Sequence, residues 1–264
     1  MNKLETRMVD ILCELKDKYA AVSVRAEFEA EGTRLEELLR LKEICMVAGL
    51  KLMLKIGGCE SVRDMLEAKI VGVNCLVAPM VESAYALRKY IQAASKVFTA
   101  EELKETDIVC NVETITACDN FEKMLEIPEI TMLKSIVVER VDLCFSLNKN
   151  EDNINDDDIS QIALRVIKMA KNSRLQCAIG GGVSADSLPL FRGIFGGSLD
   201  FYETRKVSFS CPQALGRDPE KGFIKALVFE MLWLKNKSTF YNSIYDADQR
   251  RMALIEQRYP EVRI

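Results

Sequence analysis

Charged side chains in this sequence collect at the ends of short apolar runs, where a chain heading for water would more often place Gly, Pro, Asn or Ser. The stretch VVERVDLCFSLN (137–148) carries Glu139, Arg140 and Asp142 directly after an apolar run, with no turn residues between them. The same pattern recurs at Arg25, Glu27 and Glu29, at Lys55, at Asn111 and Glu113, and at Glu203, Arg205 and Lys206. If the chain stays extended, Arg25, Glu27 and Glu29 share one side because strand side chains alternate. Glu113 and Asp142 are two carboxylates on what should be adjacent strands. Hard oxygen ligands in that number suit Mg²⁺ or Mn²⁺, which keep waters and take up an anionic substrate. The plainer alternative is a pair of rim residues in salt bridges, Asp142 with Arg140 or Lys55. Lys55 invites two chemistries, a fixed positive charge on a substrate carboxylate or enolate, or a Schiff-base nucleophile if burial lowers its pKa. It could also simply pair with Glu27 or Glu113. The run Gly180-Gly181-Gly182 either turns backbone N–H groups toward an anion or makes an ordinary strand-to-helix turn.

These residues need elements to hold them. Short apolar runs at 20–24, 51–56, 75–78, 96–98, 108–112, 135–138, 176–179 and 199–202 read as eight strands. Amphipathic segments between them, at 34–48, 61–68, 82–94, 118–126, 157–171, 185–195 and 221–235, read as helices. Strand–helix alternation predicts a mostly parallel sheet with helices outside it, and eight units predict a closed (β/α)8 TIM barrel. In such a barrel the C-terminal strand ends and the loops after them build the site, which is where the charges lie. No GxGxxG follows the first strand and no GxxxxGK[ST] occurs, so nucleotide-binding folds are disfavoured. The chain reads as one catalytic barrel domain over 1–245, N-terminal helix included, with a C-terminal helical extension over 246–264. The acidic segment 148–158 lacks Gly and reads as a solvated loop ending in a helix cap rather than a calcium loop.

Composition narrows the chemistry. The 264 residues are 48% apolar, enough for a sizeable core. The net charge of −4 gives no basic field for nucleic acid, and no apolar run approaches the roughly 20 residues of a membrane span. Nine cysteines without a CxxC pair, mostly inside apolar runs, fit a reducing cytoplasm rather than a zinc cluster or a disulfide framework. Histidine is absent. That excludes Ser-His-Asp and Cys-His catalysis and His-ligated zinc, and leaves proton transfer to Glu, Asp, Lys, Tyr, Cys or water.

The segments VGVNCLVAPMVESAYALRKY (71–90), NVETITACDN (111–120) and VERVDLCFSLN (138–148) together resemble the HpcH/HpaI aldolase/citrate lyase family of pyruvate- or acyl-handling TIM barrels. The matching motifs are Pro79-Met80-Val81-Glu82-Ser83, Asn111-Val112-Glu113-Thr114 and Asp142-Leu143-Cys144, and the resemblance spans roughly 20–200. It implies a carbon–carbon lyase or aldolase for a small 2-oxo acid or related acyl substrate, in a homo-oligomer. It makes Glu113 and Asp142 the ligands of Mg²⁺ or Mn²⁺, with Arg140 setting the local field. Lys55 stands where the family usually has an Arg on the substrate's carboxylate or enolate oxygen, and a Lys lacks the bidentate fork. Glu27 or Glu29 is expected to replace the His base of the aldolase branch. The expected site is thus Lys55, Glu27 and Arg140 as catalytic groups, with Asn111, Gly181, Gly182, Arg205 and Lys55 on the substrate. A metal-free Schiff-base aldolase using Lys55, and a non-catalytic barrel binding an anionic metabolite, are the competing readings.

Overall fold

The computed structural model describes residues 1–193, 198–216 and 218–259. In chain order the elements are α1 (Lys3–Tyr19), β1 (Ala21–Glu27), α2 (Leu35–Ala48), β2 (Lys51–Lys55), α3 (Val62–Val71), β3 (Cys75–Ala78), α4 (Ala84–Val97), α5 (Glu102–Glu105) and β4 (Asp107–Val112). They continue with α6 (Ile115–Leu125), β5 (Ser135–Glu139), α7 (Arg140–Ser146), α8 (Asp157–Asn172), β6 (Gln176–Gly180), α9 (Leu188–Gly193), β7 (Phe201–Glu203), β8 (Val207–Ser210) and α10 (Pro219–Arg258). The strands close into a barrel in sequence order, β1 through β8.

The expected TIM barrel is present, with two differences in how eight strands are reached. The run at 96–98 is not a strand. Helix α4, capped by Ser83, whose side chain accepts from the Ala86 N–H, continues through Val97 because Leu87, Tyr90, Ile91 and Ala94 keep its buried face in helical register. A three-residue apolar run does not override that periodicity. The eighth strand is instead β8, which pairs antiparallel with both β7 and β1. Only Thr204–Lys206 separates β7 from β8, whereas a parallel crossover takes a dozen residues or more. The chain therefore reverses in a tight turn, held by the Thr204 N–H donating to Val207 O at 2.9 Å.

Inside the barrel, Met53, Cys75, Val77, Val109, Val137 and Ala178 form an apolar plug, with Phe201 packed against it. Alternation then puts Arg25, Lys55, Asn111, Glu139 and Glu203 on the same inward side, one step nearer the C-terminal end. The larger cluster lies between strands and helices, with Leu52, Leu54, Ile136, Val138 and Ile179 facing outward into it.

The C-terminal region is one continuous helix rather than helices at 221–235 and from 246 on. α10 runs 40 residues, about 60 Å at 1.5 Å per residue. Phe223, Ala226, Phe229 and Trp233 are buried, and α1 packs against this stretch. Beyond it, Phe240, Ile244, Tyr245 and Leu254 are exposed. The last residues of the expected extension, 260–264, lie outside the described residues, as do 194 and 195 of the helix expected over 185–195. There the chain makes a 3₁₀ turn and the short α9. The acidic segment is a loop with one 3₁₀ turn, leading into α8 at Asp156.

Candidate active site at the C-terminal mouth

The charged strand ends converge on a cavity of 260 Å³ whose lining includes Arg25, Glu27, Lys55, Glu139, Asp142 and Glu203. Arg25, only 4% exposed, is its central cation. Its Nη1 lies 3.0 Å from Glu203 Oε2, its Nε 3.1 Å from Glu27 Oε1 and its Nη2 3.9 Å from Glu139 Oε2. Burial alone would lower its pKa, but these carboxylates and Glu113 raise it above the usual arginine value. The reversed β8 supplies Ser208, whose Oγ donates to Glu203 Oε1 at 3.1 Å. Glu203 is thereby held from both sides.

Lys55, the last residue of β2, is 5% exposed. Its Nζ lies 3.2 Å from Glu29 Oε2 and 3.7 Å from Glu113 Oε2. Burial pulls its pKa down, and Glu113, Glu29 and Glu27 more than compensate, so the ammonium is held above the ordinary lysine value. Glu113 is fully buried just past β4. Its Oε1 accepts from the Met80 N–H at 2.6 Å and its Oε2 from Asn111 Nδ2 at 2.8 Å. Met80 takes a positive φ of 51°, a conformation disfavoured for a side-chain-bearing residue. Burial raises the Glu113 pKa; Lys55, the Met80 N–H and Asn111 oppose this, and the nearby Asp142 adds to it.

The motif residues therefore have separate tasks. Thr114 caps α6 by accepting from the Ala117 N–H at 3.1 Å and donates its hydroxyl proton to Glu82 at 2.6 Å. This ties the segment after β3 to the segment after β4 and fixes Glu113 between them. Asn111 does not line the cavity. It is fully buried behind Glu113, and its Oδ1 has no hydrogen-bond partner among the described residues. Asp142, in the first turn of α7, lines the cavity directly. Arg205 reaches the rim with 55% of its side chain exposed, shared between Glu31 at 3.5 Å and Glu230 at 3.8 Å.

Arg140 is not among the residues that line the cavity. Expected among the catalytic groups, its guanidinium turns away from the mouth and is fully buried. Nε donates to Gly180 O at 3.2 Å, Nη2 to Gly181 O at 2.8 Å and Ser187 Oγ at 3.1 Å, and Nη1 to Asn155 Oδ1 at 2.9 Å. With every nitrogen committed, it clamps the glycine loop. The loop's composition follows from packing. A Cβ on Gly180 would stand 2.3 Å from Glu139 Oε2, and one on Gly181 would stand 2.6 Å from the Val141 nitrogen and 2.7 Å from Glu139 Oε1. Gly182, at φ +58°, faces Ile154 at 2.5 Å in the same sense. Gly181 and Gly182 line the cavity, and their lack of a side chain is explained by these clearances.

Arg25, Glu139 and Glu203 complete the mouth, though sequence reasoning did not select them as site residues. Their signal was available: each lies at an inward position of its strand, on the same alternation as Lys55 and Asn111. Burial drives the Glu139 carboxyl up to about 7, against the pull of Arg25 and with added repulsion from Glu113 and Glu203.

Comparison with known proteins locates this architecture. No protein-family profile matches the sequence, and no curated protein matches it. Solved structures do match. An HpcH/HpaI aldolase from Desulfitobacterium hafniense DCB-2 superposes with a TM-score of 0.61 at 12% identity, over 77% of this chain and 83% of that one. The chain has the fold of the HpcH/HpaI barrels. An HpcH/HpaI aldolase/citrate lyase family protein from Burkholderia cenocepacia J2315 gives 0.57 at 14% identity, over 82% and 98% of the two chains. The citrate synthase SbnG gives 0.60 at 12% identity, over 88% and 90%.

Proposed function

We propose that this chain is a divalent-metal-dependent carbon–carbon lyase or aldolase of the HpcH/HpaI aldolase/citrate lyase type, acting on a pyruvate-like 2-oxo acid or a related acyl substrate. The observation that carries the reading is a 260 Å³ mouth in which two buried cations, Arg25 and Lys55, sit among a surplus of carboxylates that includes Asp142, with Glu113 buried beside Lys55. The cavity falls just below the range of roughly 300–1,000 Å³ usual for drug-sized ligands, which favours a small acid in the cavity itself.

The residues fit Mg²⁺ or Mn²⁺. The mouth's excess negative charge calls for a further cation, and Asp142 has no ion-pair partner among the described residues. Each oxygen of Glu113 accepts one neutral N–H and keeps lone-pair capacity. No cluster of three or more Cys, Asp or Glu suited to a metal occurs among the described residues; with two carboxylates as its ligands, Glu113 and Asp142, an ion would have to keep several waters, as Mg²⁺ does. Bound there, the ion would supply Lewis-acid polarisation of a carbonyl oxygen. Lys55, kept charged by its carboxylate neighbours, binds the substrate's carboxylate or steadies the enolate oxygen. The same charge argues against the Schiff-base reading, which needs a neutral Lys55 amine.

The charge balance and the nine free cysteines support a cytoplasmic protein, and no helix among the described residues is long and apolar enough to cross a membrane. The exposed apolar side chains on the distal half of α10 support assembly into a homo-oligomer.

A panel of 4-hydroxy-2-oxo acids, assayed for released 2-oxo acid, tests the function. Cleavage that stops with EDTA and returns with Mn²⁺ is the expected result. Cleavage that survives EDTA, with borohydride trapping substrate on Lys55, would overturn the metal-dependent reading in favour of the Schiff base. Binding without any turnover would favour a non-catalytic barrel.

A further inference from the structure

We propose that Glu139 is the proton-transfer residue of this histidine-free mouth, a role built by the glycine loop that faces it. The inference rests on the enolate chemistry proposed above. Three geometric observations carry it. Glu139 ends β5 directly opposite Gly180 in the barrel register, and its carboxylate lines the same cavity as Lys55 and Asp142. Its Oε2 is buried without a hydrogen-bond partner among the described residues. A buried acceptor left unpaired costs free energy, so such a group calls for a reason. The third observation is the slot itself: side chains at Gly180 or Gly181 would collide with the Glu139 oxygens at 2.3 and 2.7 Å. Arg140 commits its Nε and Nη2 to the carbonyls of that loop. A fully buried arginine and two glycines thus keep one carboxylate in place without donating a proton to it.

The charged groups around Glu139 are Arg25 and Glu27 on β1, Glu29 just beyond it, Lys55 on β2, Glu113 after β4, Arg140 and Asp142 on α7, Glu203 on β7 and Arg205 at the rim. Arg25, 3.9 Å away, is shared with Glu203 and Glu27, which lie closer to it. The carboxylate surplus thus acts on Glu139 with only partial compensation. Burial and this surplus bring its proton affinity near neutral pH, where a general base is most effective. Glu27 and Glu29, the bases expected from sequence, are instead engaged with Arg25 and Lys55.

The step balances as follows. The Glu139 carboxylate takes a proton from C3 of the 2-oxo acid. The C–H electron pair becomes the C2–C3 double bond, the carbonyl π pair moves onto oxygen, and protonated Glu139 later returns its proton to carbon or to water. In the cleavage direction Glu139 takes the C4 hydroxyl proton, the C3–C4 bond breaks to give an aldehyde and the enolate, and the enolate carbon is then protonated.

Exchange of the pyruvate methyl protons for deuterium isolates this step without an aldehyde. With Mn²⁺ present, the wild-type rate should rise across pH 6–8 and level off above. Glu139→Gln should lower it by about 10²–10⁴-fold and abolish the rise, while Glu139→Asp should restore part of the rate with the rise shifted in pH. Gly180→Ala, which pushes on Oε2, should slow exchange in a folded protein. Exchange in E139Q at the wild-type rate, or with the wild-type pH rise, would overturn the role of Glu139 and leave the enolate function standing. Absence of exchange in the wild type, with or without metal, would overturn the function and this role together. If E139Q does not fold, the wild-type profile decides, and a rate that is flat across pH 6–8 refutes the assignment.

Discussion

A carboxylate held out of water beside other carboxylates should weaken the fold whenever it is ionised, and the size of the effect at Glu139 follows from its surroundings. Burial, with Glu113 and Glu203 nearby, lifts its pKa from 4.5 to about 7. The folded state therefore favours the protonated form. Below the unfolded value of 4.5 both states hold the proton and nothing is lost. Between 4.5 and 7 the folded state binds more proton than the unfolded chain, so stability falls as pH rises, and above 7 the whole cost is present. At 1.36 kcal/mol per pH unit, linkage gives a cost under about 1 kcal/mol at pH 5 and about 3 kcal/mol at pH 8. Glutamine has nearly the same shape and carries no charge. E139Q should therefore gain on the wild type by about 2–3 kcal/mol between pH 5 and pH 8, or about 5–8 °C in Tm for a chain of this size. Urea unfolding of both proteins at the two pH values measures this directly. If the two stability curves run parallel from pH 5 to pH 8, Glu139 is not the buried, proton-loving carboxylate described here.

Other outcomes follow from the same geometry. Arg140→Met should lower stability by about 3–5 kcal/mol, because it strips donors from buried Gly180 O, Gly181 O and Asn155 Oδ1; a thermal midpoint within a degree of the wild type would contradict the clamp. Asp142→Asn should weaken Mn²⁺ binding at least tenfold in a calorimetric titration while the circular dichroism stays native, and an unchanged Kd would remove Asp142 from the metal site. Lys55→Met should cut turnover on the order of 100-fold, the effect typical of losing one preorganised charged donor. It should also raise the Glu113 proton affinity further, because Lys55 is the main charge opposing burial there; full activity would rule out a role on the substrate.

The barrel itself was legible because its signals are local and repeated. Alternating apolar runs and amphipathic segments placed β2, β3, β4, β5 and β6 to within a residue, while β1 runs three residues past its expected end, and the charged ends of those strands marked the mouth. What escaped depended on long-range partners. The run at 96–98 resembles a strand, but the buried stripe of Leu87, Tyr90, Ile91 and Ala94 carries α4 through it. Val207–Ser210 follows β7 too closely for the crossover helix that strand–helix alternation predicts, and the three residues 204–206 permit only a reversal. Arg140 and Glu139 are neighbours in sequence and both ionisable, yet one points behind the glycine loop and the other into the cavity. That division is set by β5 ending and α7 beginning between them, which composition does not reveal. The glycine run invited an anion-binding reading because the clearance it gives Glu139 involves a residue 41 positions away from Gly180 on a neighbouring strand. Glu113 and Asp142, by contrast, were legible as candidates from residue type and strand position.

The central claim is metal-dependent enolate chemistry at the mouth, and deuterium incorporation at the methyl group of pyruvate, followed by NMR in D₂O, tests it most directly. Exchange that requires Mg²⁺ or Mn²⁺ and disappears with EDTA is the expected result. Exchange that is indifferent to EDTA, or no exchange under either condition, would contradict it.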